Sequence, residues 1–250
     1  MKQQIIVLIA AIILFGCEKA AENASFSAGG NGTGGSMARF TIVGNHLYTV
    51  DKSNLKVFEI SDPAQPVFKR SVPVGFEIET IFPFKDKLFI GSTSVVHIFS
   101  IADPANPQKQ GEAISPEFMR RCDPVVAKDT VAYATLRTTG PCGGTRSVLA
   151  VYDVRNVQQP VHRNAITLGA PYGLGYTGNT LYVCDQLQGL VVYDITQAYA
   201  PVQVNSLLLT GNDFIDVIPF NNLLVAWVSK GMALYNITDK ANPAFLTLID

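Results

Sequence analysis

Four arginines, Arg120, Arg121, Arg137 and Arg146, crowd a short stretch of a chain that is otherwise sparing with charge. A guanidinium presents a planar fork to carboxylate or sulfate groups, so arginines gathered on one rim would suit an anionic partner. Glu77 and Glu79 come closest to a paired-carboxylate site. On a strand, however, residues i and i+2 share a face with only local spacing, and no division into acid and base follows. His46, His97 and His162 lie far apart in sequence and do not converge on a metal or a triad. A nucleophile elbow, a phosphate loop and an Asp-rich calcium loop are all missing. The chemistry on offer is recognition, and the expectation is a non-enzyme without cofactor or metal.

Composition narrows the partners. The chain has 250 residues, 48% hydrophobic and only 16% charged, with 19 basic against 20 acidic side chains. That much apolar surface can build a core and excludes wholesale disorder. A near-zero balance without a basic run argues against nucleic acid. After residue 15 no apolar run approaches the roughly 20 residues of a spanning helix.

The first 17 residues read as an export address. Lys2 supplies a positive start, Ile5–Phe15 are unbroken apolar residues, and Gly16-Cys17 follows at once. Such a run is too short to span a bilayer but suits a signal peptide. Leu14-Phe15-Gly16-Cys17 resembles the lipobox of bacterial lipoproteins, with Phe15 bulkier than usual at its position. The resemblance implies that residues 1–17 are a lipoprotein signal peptide and that Cys17 takes the lipid. Glu18 after the cysteine then favours the outer membrane, on its periplasmic or cell-surface side, and membrane attachment through lipid alone. Residues 18–36, rich in Gly, Ala, Ser and Asn, read as a flexible tether.

Residues 37–250 repeat. Five segments share a β-rich run, a polar turn and a proline: Leu55–Pro66, Val96–Pro107, Leu149–Pro160, Leu190–Pro201 and Ala233–Pro243. Their terminal prolines are spaced by 41, 53, 41 and 42 residues. In the fourth repeat Pro171–Tyr176, Leu181–Cys184, Leu190–Ile195 and Val202–Leu209 read as strands A to D, with Gly178-Asn179 as a hairpin turn. Four strands in about 40–45 residues make a propeller blade. The fold expected is therefore all-β, a five-bladed β-propeller of four-stranded antiparallel blades, with a β-helix as the alternative. Blade boundaries fall at about 37–75, 76–117, 118–169, 170–210 and 211–250. Each unit is whole, so ring closure would rest on packing between blades one and five. An open arc completed by dimerisation is the alternative to a monomeric ring.

The segments Leu190-Val-Val-Tyr-Asp-Ile and Ile60-Ser-Asp-Pro-Ala-Gln-Pro66 resemble the LVIVD repeat of bacterial and archaeal surface proteins. The resemblance covers about residues 37–250, with repeats three and four degenerate at the Asp-Pro step. It implies a β-propeller at the cell surface and names no activity.

Propeller topology puts D–A connections and B–C loops around one mouth of the central channel. Among the D–A residues are Arg39, Glu77, Glu79, Arg120, Arg121, Asp123, Tyr172, Asn212 and Asp213, and the B–C loops add Arg137 and Arg146. The candidate binding rim is Glu77, Arg120, Arg121, Asp123, Arg137, Arg146, Tyr172, Asn212 and Asp213. Solvated loop tips are the plainer account of any one of them. Blade three carries an insertion confined to Arg137–Ser147, and insertions on one loop are where scaffolds hold specificity. Cys122 and Cys142 fall on the same face and, in an oxidising compartment, are expected to form a disulfide. Cys184 reads as a small buried hydrophobe. The function expected is a membrane-anchored extracytoplasmic binding or scaffold module for a protein or glycan ligand on this face. The alternative is a hydrolase or lyase at the same mouth.

Overall fold

The computed structural model of the chain describes residues 34–93, 95–114, 124–138 and 146–250. Twenty strands form five four-stranded antiparallel sheets. Blade one holds β1 (Phe40–Val43), β2 (His46–Val50), β3 (Asn54–Glu59) and β4 (Val67–Pro73). Blade two holds β5 (Ile78–Phe84), β6 (Lys87–Ser92), β7 (Val95–Ser100) and β8 (Gln108–Ile114). Blade three holds β9 (Val125–Lys128), β10 (Val131–Leu136), β11 (Ser147–Asp153) and β12 (Val161–Leu168). Blade four holds β13 (Pro171–Thr177), β14 (Thr180–Asp185), β15 (Gly189–Asp194) and β16 (Val202–Leu207). Blade five holds β17 (Phe214–Phe220), β18 (Leu223–Val228), β19 (Gly231–Asn236) and β20 (Ala244–Ile249). The fold is the five-bladed β-propeller that the repeat predicts.

The repeat works through a few recurring devices. Each A–B turn places one residue at positive φ: Gly44, Lys85, Asp129, Gly178 and Asn221, all between 53° and 58°. A hairpin that follows the strand twist needs that left-handed position, and Gly, Asn and Asp reach it at least cost. The carbonyl of the next residue accepts a 2.8 Å hydrogen bond from the N–H of the residue just after strand C: Ile60, Ile101, Val154, Ile195 or Ile237. All five C–D pairs carry a register shift at the same step, at Val57/Phe58, Ile98/Phe99, Val151/Tyr152, Val192/Tyr193 and Leu234/Tyr235. Asp62, Asp103, Asn156 and Asp239 then close the C–D turn by accepting from a backbone N–H two residues on, which is why Asx residues recur there. Gln197 takes this place in blade four and keeps only the backbone turn.

Blades are joined by four apolar clusters, one between each consecutive pair from one–two to four–five. A tyrosine on strand B adds a polar tie to the next blade's C–D loop. Tyr48 donates to the Pro104 carbonyl at 2.8 Å, Tyr133 to that of Ala198 at 2.9 Å and Tyr182 to that of Lys240 at 2.9 Å.

Blade five and blade one do not continue the series. Among the described residues no strand pair of these two blades packs as neighbouring blades do elsewhere. Side-chain burial says the same. The cross-strand pairs Val50/Leu55, Gly91/Val96, Thr135/Leu149 and Cys184/Leu190 are buried against the following blade. The equivalent pair in blade five, Trp227 and Met232, is 50% and 47% exposed. On the other side, Leu88/Phe99, Leu181/Tyr193 and Leu224/Tyr235 are buried against the preceding blade, whereas Leu47 and Phe58 of blade one are only half-buried. Closure of the ring by packing of blade one on blade five is thus not what this chain does. The spacing of repeats counts blades but does not set the angle between them.

A second correction concerns the start of the domain. Gly35 and Ser36 are buried inside the propeller, so the tether expected to reach residue 36 ends earlier.

Candidate functional site

The face argument holds. The D–A and B–C connections meet around one mouth: Ile78 donates to the Lys52 carbonyl at 3.1 Å, Gln186 to that of Ala170 at 3.0 Å, and Ser229 to that of Asp213 at 3.0 Å. At this mouth lies a cavity of about 360 Å³ lined by Met37, Arg39, Glu79, Thr80, Pro124, Arg137, Pro171, Tyr172 and Trp227. Blades two to five and the segment before β1 all contribute.

Each side chain is set by a strand end. Arg137 follows β10, and its guanidinium lies 3.9 Å from the centre of the Tyr172 ring. Such a stack is a cation–π contact and holds the long side chain against an aromatic wall. Tyr172 in turn is fixed through its carbonyl, which accepts from the Thr135 hydroxyl across the blade three–four boundary. Arg39, just before β1, donates to the Ile78 carbonyl of blade two at 3.0 Å. Glu79 is half-buried, and burial raises its pKa against the opposing pull of Arg137 and Arg39. Trp227, one residue before the end of β18, presents a half-exposed indole. Together they make a cleft with two cations, one carboxylate and an aromatic wall, the mixture that ligand sites use for orientation and contact area.

Beneath the mouth sits a buried polar cluster. The Ser36 hydroxyl donates to Asp216 Oδ1 at 3.1 Å and accepts from the Leu174 N–H at 2.7 Å. The Met37 N–H donates to Asp216 Oδ2 at 3.1 Å, and the Val217 N–H to Oδ1 at 3.0 Å. Burial pushes the Asp216 carboxyl up to about 6, with these hydrogen bonds opposing the shift.

Of the expected rim, Arg137 and Tyr172 are brought together in the cleft. Glu77, Arg146, Asn212 and Asp213 share the mouth face but do not line the cavity. Glu77 precedes β5 with φ at 54°, is exposed, and accepts from the Thr93 hydroxyl at 3.0 Å. That turn, and a register shift between Ile78 and Thr80, separate it from Glu79, so the two do not share a strand face as alternation would have them do. The Asn212 side chain accepts from the Lys230 N–H at 3.2 Å, and the Ser229 hydroxyl from the Asp213 N–H at 3.1 Å, stitching one loop to another. Arg120, Arg121 and Asp123, the Cys122–Cys142 disulfide and Cys17 lie outside the described residues. The insertion of blade three does fall between β10 and β11. Cys184 is free and fully buried at the blade four–five interface. His46, His97 and His162 sit in β2, β7 and β12 of three different blades.

Met37 and Trp227 were not foreseen, nor was the Ser36–Asp216 pair. Two signals pointed to them. Trp227 occupies the strand-B position held by Val50, Gly91, Thr135 and Cys184 in the other blades, and Asp216 interrupts the apolar run Phe-Ile-Asp-Val-Ile.

Fold and repeat together define the class, a β-propeller built from one recurring blade. The LVIVD repeat matches residues 34–74 and 175–207, so the propeller carries LVIVD repeats in its first and fourth blades. Solved structures agree on the fold. A protein from Lactobacillus plantarum is 14% identical, with a TM-score of 0.65 over 82% of this chain and 68% of that one. A functionally unknown protein from Desulfotomaculum acetoxidans DSM 771 is 16% identical, with a TM-score of 0.61 over 82% and 68%. The computationally designed Ika8 protein is 12% identical, with a TM-score of 0.58 over 83% of this chain but only 59% of its own. The chain thus spans about three fifths to two thirds of the propellers it resembles. No curated protein matches it by sequence.

Proposed function

We propose that this protein is an exported, lipid-anchored binding module of the bacterial cell envelope, in the outer membrane, whose ligand, a protein or glycan, docks at the mouth cleft. The observation that carries the reading is the cleft itself, where Arg137 stacks on Tyr172 beside Arg39 and Trp227. Pockets that combine aromatic walls with a few fixed charges are built for recognition. Glu79 lies in the same lining as Arg39 and Arg137, and such fixed charges of both signs suit the orientation of a polar ligand.

Two experiments test it. Metabolic palmitate labelling should mark the wild type and vanish in Cys17→Ala; label retained by the variant would remove the anchor. Photo-crosslinking residues placed at Asn212 on the mouth face and at Lys240 near the C–D turn should then be compared in intact cells. Adducts from position 212 alone support docking at the mouth, and equal adducts, or adducts from 240 alone, would move the ligand elsewhere.

A further inference from the structure

We propose that Gly34–Met37 form an axial strut that ties the two ends of the blade series together and holds Met37 in the mouth cleft. Gly34 lines a cavity of about 210 Å³ with Phe82, Val126, Gly175, Tyr176 and Val217, residues of the inner strands of blades two to five. The segment therefore lies within the central channel. Two residues later, Ser36 is bonded to Asp216 of blade five and Leu174 of blade four. Ala38 then accepts from the Ile81 N–H of blade two at 2.8 Å, and β1 of blade one begins at Phe40. Within five residues the chain touches every blade but the third through hydrogen bonds or continuity.

The fit is specific to small residues. A Cβ on Gly35 would lie 2.0 Å from Asp216 Oδ2, and one on Gly173 would lie 2.1 Å from Oδ1. The carboxylate is clamped between two backbones that approach this closely only because both lack a side chain. Ser36 uses its hydroxyl as donor and acceptor at once, satisfying a buried carboxylate and a buried N–H together. Blade one and blade five do not pack on each other, so the strut supplies a bridge that the blade faces do not. Met37, the next residue, lines the cleft, and Ser36 and Asp216 act as positioning residues for it.

The consequence for binding rests on the mouth being the ligand site, but the strut is tested without a ligand, so the two can fail separately. Trp227 is the sole tryptophan and lines the same cavity as Met37. In the full chain, Gly35→Val should wedge the strut out and raise acrylamide quenching of Trp227 on the order of twofold. Ser36→Ala, a milder change, should raise it less and lower the melting temperature on the order of 5 °C, because it strands two buried groups. Tyr48→Phe, which loses a distant inter-blade bond, should lower the melting temperature without changing the quenching. Failure of Gly35→Val to fold also supports the strut as a closing element. If Ser36→Ala melts and quenches like the wild type, or Tyr48→Phe alters the quenching as much, the proposal is overturned.

Discussion

Phe99→Ala should cost about 3–5 kcal/mol, whereas Phe58→Ala, at the matching position of blade one, should cost only about 1–2 kcal/mol. The two phenylalanines follow the same register shift on strand C and point to the same side of their blades, a side that blade one covers for Phe99 and, among the described residues, no blade covers for Phe58. Phe99 is fully buried among Tyr48, Leu55, Val57 and Leu88, where truncation leaves a cavity that close-packed neighbours cannot fill. Phe58 rests edge-on against Phe68 at 5.5 Å between ring centres and is otherwise half-buried. For a domain of this size the larger loss lowers the melting temperature by about 6–20 °C. The pair is informative because the sequence context is nearly the same and only the neighbouring blade differs. Thermal unfolding of both variants decides it: equal losses would mean that the blade-one face is covered after all, and the uncovered ends described above would be wrong.

Strand order and blade count were legible because both are local. Alternation within Leu190–Ile195, the Gly178-Asn179 turn and the prolines at fixed spacing each act over a few residues. They set the hairpins whatever the rest of the chain does. The mouth face was legible too, since alternating strand directions dictate which loops meet. Closure was not. It depends on the angle at which sheets pack, a sum over many side-chain volumes such as Ala132 against Leu88 or Leu181 at equivalent positions. The cleft was half legible for a related reason. Arg137 and Tyr172 stood out as charge and aromatic on the right loops, but nothing local says that a Gly-Gly-Ser stretch will enter the channel. Gly35 and Ser36 resemble linker by composition and become core only because Asp216, 180 residues away from Ser36, waits for them.

That carboxylate gives the second large effect. The Asp216 pKa is raised from 3.8 to about 6 by burial, so the folded state holds its proton more tightly than the unfolded chain. The stability it contributes is complete below about pH 4 and is lost as pH rises through about 6, by about 3 kcal/mol in total. Other groups pull the opposite way. Asp51 and Asp153 are held low by backbone N–H donors and by Lys56, Arg155 and Arg163, and they lose stability as pH falls through the acid range. Burial lowers His97 and His162, which lose stability as acid forces a proton onto them. The whole-protein curve mixes all of these, so the measurement is a difference. The stability of the wild type relative to Asp216→Asn should fall by about 2 kcal/mol between pH 4 and pH 7, measured by urea unfolding at each pH. Asn keeps the shape and the neutral state but turns an amide toward the Met37 or Val217 N–H, so an offset independent of pH accompanies the slope. Only the slope reports the titration. A flat difference across that range, or a carbon-13 carboxyl titration of Asp216 centred below pH 4, would show that the strut closes over a carboxylate already satisfied in its charged form.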